Sequence, residues 1–134
     1  MATLKTNTLT GTSTAGSIAV TGEGNSTTTN LQQGLAKCWV NFNGSGTIAT
    51  RDSFNVSGLT DNGTGDYTIN IANNMSNASY SAPAISSRDS SASQVGMFNP
   101  QDGVATGSYR VIELAVSTFF DVQQVMSTAH GDLA

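Results

Sequence analysis

The chain has 134 residues, of which 37% are hydrophobic and 10% charged, with a formal net charge of −4. That length suits one domain with little room for a second. The acidic balance, with Lys5, Lys37, Arg51, Arg88 and Arg110 scattered along the chain, excludes the basic footprint that nucleic-acid binding needs. One cysteine excludes an intrachain disulfide, and no Cys/His cluster offers a structural zinc site.

No apolar run approaches the length of a membrane span, so no membrane insertion is expected. Met1–Lys5 does not open a signal peptide, which predicts synthesis in a cytoplasm. For the same reason the six Asn-x-Ser/Thr sequons read as by-products of an Asn-, Ser- and Thr-rich composition rather than glycan sites. Large apolar side chains are few, so the core of one chain is thin. Association is then the remaining route to stability, by burying further apolar surface between subunits.

Residues 1–30 carry only Leu4, Leu9, Ile18 and Val20 as large apolar residues, in a Thr- and Gly-rich context without helical period. Alternation across Leu4–Thr10 favours strand. This segment is predicted to be an attachment arm that orders by adding a strand to a neighbour.

A β-domain is predicted over 31–134. Lys37–Phe42 places Cys38, Val40 and Phe42 on one face, with Lys37, Trp39 and Asn41 on the other. Thr47–Val56 reads as one strand, with Ile48, Phe54 and Val56 sharing a face. A turn follows at Asp61–Gly65, after which Tyr67, Ile69 and Ile71 alternate with Asp66, Thr68 and Asn70. Alternation of period two bounded by Asn-Gly signals marks half-buried antiparallel strands.

The block Gly34–Ile71, GLAKCWVNFNGSGTIATRDSFNVSGLTDNGTGDYTINI, resembles a segment that recurs in bacteriophage structural proteins, tail fibres above all. The resemblance is close over 31–72, and Cys38 stands where a small residue such as alanine is expected. It is supported more loosely by the opening ATLKTNTLTG and by Gly131-Asp132 near the end. It implies a virion protein and a homotrimer, held to tail, baseplate or capsid proteins through the arm.

Further strands are predicted near Ser79–Ile85, Gln94–Phe98, Tyr109–Thr118 and Phe119–Met126, with a turn at Asn99–Gly103. Met75–Tyr80 suits one helical turn, and His130–Ala134 an exposed tail. The fold expected is all-β: an antiparallel β-sandwich-like domain, trimer-associated, with an extended N-terminal arm.

The residues offer little covalent chemistry, and no catalytic residue, cofactor or metal is expected. His130 reads as a tail residue, and a threefold metal site would call for the H-x-H repeats that are absent. Asp61 and Asp66 suit ordinary turn chemistry better than calcium, because DNGTGD lacks EF-hand spacing. Cys38 reads as a small buried hydrophobe.

Three residues point to a subunit interface. Trp39 lies opposite Val40 and Phe42 and would be exposed on a monomer. Asp52 and Glu113 fall on faces shared with apolar residues, Ile48 and Phe54 for the first and Val111 and Ala115 for the second. Each would need a partner such as Arg51, Arg88 or Arg110 if buried.

The function expected is host attachment by a short trimeric tail fibre or fibre-tip protein. Its Asn73–Ser79 and Ser86–Ser93 loops would meet host surface polysaccharide. The alternative is a capsid decoration or head-fibre protein that stabilises the shell. A small glycan-degrading enzyme is the third reading, disfavoured because no catalytic constellation is evident and the chain is too short for the long β-helix that tailspike depolymerases generally need.

Overall fold

The computed structural model describes residues 3–11, 18–22, 24, 27–87, 96–98, 100–115 and 117–134. The chain divides into two units, Met1–Leu35 and Ala36–Ala134, five residues beyond the boundary expected at 30/31. Among the described residues no helix is long and apolar enough to cross a membrane.

In the first unit, β1 (Ala19–Thr21) pairs antiparallel with β2 (Thr28–Asn30). A single helical turn, Leu31–Gly34, follows, and the Asn30 side chain caps it by accepting from the Gln33 N–H. No described residue of this unit is buried. Leu4, Leu9 and Val20 are exposed and Ile18 is half-buried.

The second unit is built from antiparallel sheets. One holds β3 (Cys38–Asn43), β4 (Ala49–Phe54), β7 (Ala84–Ser87) and β12 (Gln124–Ala129), in the order β4-β3-β12-β7. The other has β5 (Val56–Gly63), β6 (Asp66–Ile71), β10 (Ser108–Ala115) and β11 (Thr118–Phe119), in the order β11-β10-β6-β5. In it β8 (Gly96–Phe98) and β9 (Val104–Ala105) also pair with β10.

Both sheets feed one core. Cys38, Val40, Phe42, Val125 and Ala129 come from the first, and Tyr67, Ile69, Ile71, Tyr109 and Val111 from the second. The alternation read from Lys37–Phe42 and Tyr67–Ile71 therefore marks inward faces. Phe42 meets Tyr67 edge-on, with ring centroids 5.2 Å apart. Burial pushes the Cys38 thiol up, as suits an inert core cysteine.

Thr47–Val56 is not one strand. The chain leaves the first sheet after Phe54 and enters the second at Val56, turning at Asn55 with φ 56°. Asparagine tolerates this left-handed conformation because its side chain can bond locally. Here Asn55 Nδ2 donates to the carbonyls of Lys37 (2.8 Å) and Asn73 (3.1 Å), and its Oδ1 accepts from the Asn73 N–H at 2.8 Å.

One turn earlier the ladder slips. Asn41 pairs with Asp52 and Phe42 with Thr50, which leaves Arg51 as a bulge. The Arg51 guanidinium secures it by donating to the Phe42 and Gln123 carbonyls. Each irregularity shifts the side-chain alternation, so the face proposed for Ile48, Phe54 and Val56 does not exist. Ile48 and Val56 pack on the core, while Phe54 is 53% exposed.

Other expectations need correcting. Lys37, assigned to the outer polar face, is buried, because the strand begins only at Cys38. The Asp61–Gly65 turn is shorter than predicted: β5 runs to Gly63, and Thr64-Gly65 alone link it to β6. Gly65 has φ 65°, and a Cβ there would lie 2.7 Å from the Phe120 carbonyl oxygen. Ser79–Ile85 is strand only from Ala84. Gln101–Gly103 of the predicted turn is a 3₁₀ turn.

Phe119–Met126 divides into β11 and β12. Between them Asp121 accepts from the Gly65 N–H (2.8 Å) and from the Tyr67 hydroxyl (3.1 Å), drawing the chain off the sheet. Met75–Tyr80 is not helical: Met75 is buried and bridges Leu133. That bridge and the Ser81–His130 bridge also secure the end of the chain, so His130 is half-buried rather than a free tail residue.

Candidate functional site

The pairing that buries Cys38, Val40 and Phe42 fixes what the other face of the same sheet presents. Residues directly opposite in an antiparallel ladder share a face. Phe54, Trp39 and Thr128 therefore form one row across β4, β3 and β12. Asp52, Asn41, Met126 and Ile85 form the next, reaching β7. Ile85 is 64% exposed, and Trp39 and Met126 are half-buried.

Pro83, just before β7, joins Trp39, Ile85 and Met126 in lining an open groove of about 480 Å³. Its lining is predominantly apolar. An apolar concavity of this kind on a sheet's outer face suits contact with another apolar surface.

The three residues assigned to an interface separate. Trp39 and Asp52 come together, because Asn41, two residues from Trp39, is the direct partner of Asp52. Asp52 is exposed and not buried, and its Oδ1 accepts from the Ser53 N–H at 2.8 Å. The bulge at Arg51 turns it outward, so it needs no buried counter-charge. Glu113 lies on the inward face of β10 with Tyr109 and Val111 and is 0% exposed. The Ser86 hydroxyl donates to its Oε1 at 2.9 Å. Of the proposed arginine partners, Arg110 forms a two-pronged pair with Asp66, Arg51 is bound to main-chain carbonyls, and Arg88 lies outside the described residues.

Ile85, Pro83 and Met126 escaped sequence reasoning. Their approach to Trp39 rests on pairings between strands some 40 to 90 residues apart, which no local pattern encodes. The signal in reach was Trp39, a large apolar residue out of phase with its strand's buried set.

Among the described residues no three His, Cys, Asp or Glu side chains gather as a metal site. Asp66 is held below the usual carboxylate range, first by its hydrogen bonds from Arg110. Burial, then the Asp121 carboxylate, pushes the Tyr67 phenol well above its ordinary value, keeping it a proton donor to the Gly44 carbonyl at 2.8 Å. These are structural roles: each group is committed to its neighbour.

No protein-family model, curated protein or solved structure matches the chain.

Proposed function

We propose that this chain is a bacteriophage virion structural protein, a short trimeric tail-fibre or fibre-tip protein that acts in host attachment. The observation that carries the reading is the apolar outer face of the β4-β3-β12-β7 sheet, centred on Trp39, Met126 and Ile85. A monomer that exposes such a face gains by covering it with another copy. The likeness of residues 31–72 to phage fibre segments supplies the expectation of a homotrimer.

Within this reading the second unit is a sandwich-like domain, an arrangement favoured by the core that its two sheets share. Met1–Leu35, which buries none of its described residues, is the attachment arm. Leu4, Leu9 and Val20 would be covered on docking to a tail or baseplate protein.

Surface loops then meet host polysaccharide through hydroxyl and amide groups. Asn73, Asn74, Ser76, Asn77 and Ser79 are exposed for this purpose. Most of Ser86–Ser93 lies outside the described residues. Single contacts of this type are weak, and three copies raise their combined strength by effective concentration.

Cryo-electron microscopy of intact particles tests the assignment. Trimeric density at the tail or baseplate is expected. Density on the shell would move the protein to capsid decoration, and its absence from particles would end the virion reading.

A further inference from the structure

The chain contains two Asn-Gly dipeptides, Asn43-Gly44 and Asn62-Gly63. An asparagine before glycine is the pair most open to intramolecular deamidation, because no side chain obstructs the following nitrogen. We propose that Asn62 is a site of spontaneous deamidation, with the Asp61 carboxylate as proton acceptor, and that Asn43 is protected by the fold.

The step balances without any co-reactant but water. The Gly63 nitrogen loses its proton and attacks Asn62 Cγ. The new N–C bond closes a succinimide as the Cγ–Nδ2 bond breaks, and Nδ2 takes up the proton that Asp61 accepted and leaves as ammonia. Water then opens the ring at either carbonyl, giving aspartate or isoaspartate.

The two sites meet these demands differently. The ladder slips between Asp61 and Gly63, which leaves Asn62 as a bulge without a cross-strand partner. Gly63 N–H donates to the Asp61 carboxylate at 2.9 Å, so the attacking nitrogen already faces a base. Asn62 and Gly63 are both exposed. Beyond its chain neighbours no atom lies within 4 Å of where a Gly63 Cβ would stand, so the turn is open on that side.

Gly44 is the opposite case. It is buried, its N–H donates to the Val122 carbonyl at 2.9 Å, and a Cβ there would lie 2.6 Å from the Tyr67 hydroxyl. Asn43 is paired with Ala49 in the ladder, where Asn62 has no such partner; both side-chain amides are hydrogen-bonded, so the difference lies in the ladder and in the following glycine.

Conversion at Asn62 changes the hairpin chemically. Its amide now donates to Thr68 Oγ1 at 2.8 Å and to Asp66 Oδ1 at 3.2 Å. A carboxylate would lose the bond to Asp66, could only accept from the Thr68 hydroxyl, and would add negative charge beside Asp61 and Asp66, in competition for Arg110. Isoaspartate would also lengthen the main chain at the bulge. The hairpin tip is thus an ageing site whose products loosen the β5–β6 end.

The test is peptide mapping by mass spectrometry of the full chain, held folded at mildly alkaline pH and physiological temperature. A urea-unfolded sample gives the intrinsic rate of each dipeptide. Deamidation at Asn62 is expected at least tenfold faster than at Asn43 in the folded chain, and at comparable rates in urea. Asp61→Asn, which keeps an acceptor oxygen but no base, is expected to slow Asn62 several-fold in the folded state alone. Equal folded-state rates at the two asparagines would overturn the protection, and an Asn62 rate unchanged in Asp61→Asn would remove Asp61 from the step.

Discussion

Met1–Leu35 and Ala36–Ala134 are both written in strand-compatible residues, but they come to different ends. In the first, threonines alternate with few large side chains, and the product is a three-residue ladder with no buried residue among those described. In the second, alternation carries Val40, Phe42, Tyr67, Ile69 and Tyr109 into one core. Backbone propensity alone therefore makes a hairpin, and burial of large apolar groups makes a domain.

The sharpest way to break that comparison is to truncate one apolar residue in each unit. Phe42→Ala is expected to cost about 3–5 kcal/mol, enough to leave the domain marginal. Leu9→Ala is expected to change stability by less than about 0.5 kcal/mol. Urea unfolding of the full chain measures both, and similar losses would mean that the first unit contributes to the core.

A smaller effect is expected at the corner between the sheets. Asn55→Ala removes the side-chain bonds to Lys37 and Asn73 and forces alanine into a positive φ. The loss should be about 1–3 kcal/mol in the same experiment. Asn55→Gly, which relieves the backbone and not the bonds, should lose less. Equal losses would assign the whole effect to the hydrogen bonds.

The smallest effect is the pH dependence of the Arg110–Asp66 pair. Asp66 has a depressed folded-state pKa, so its contribution is complete above the unfolded value, about 3.9, and is lost as pH falls through the lower folded value. The melting-temperature gap between wild type and Asp66→Asn should be constant above about pH 5 and shrink below about pH 4. A gap that widens on acidification would contradict the pairing. Partial exposure of Arg110 keeps the gap small.

The sequence disclosed β3 and β6 because large apolar residues recur there at every second position. It concealed the breaks at Arg51 and Asn55, since the residues around them continue to alternate and only the tertiary hydrogen bonds of their side chains reveal them. Phe119–Met126 looked continuous because its apolar run hides the pull of Asp121 toward Gly65 and Tyr67. Part of the outer face was legible: Trp39 was found from its own strand, and Asp52 only as a member of a face with Ile48 and Phe54 that the bulge at Arg51 abolishes. Ile85 and Met126 were not, because strand order joins them to Trp39 and local pattern does not.

The claim that this outer face is an assembly surface is tested most directly by sedimentation equilibrium of the full chain beside Ile85→Asp. Ile85 is largely solvent-exposed in the single chain, so the variant should still fold, which a cooperative urea transition checks, while losing whatever stability assembly adds. Wild type is expected at three times the 13.8 kDa chain mass and the variant as a monomer. A wild-type chain that stays monomeric at every concentration, or a variant that assembles as wild type does, would contradict the account.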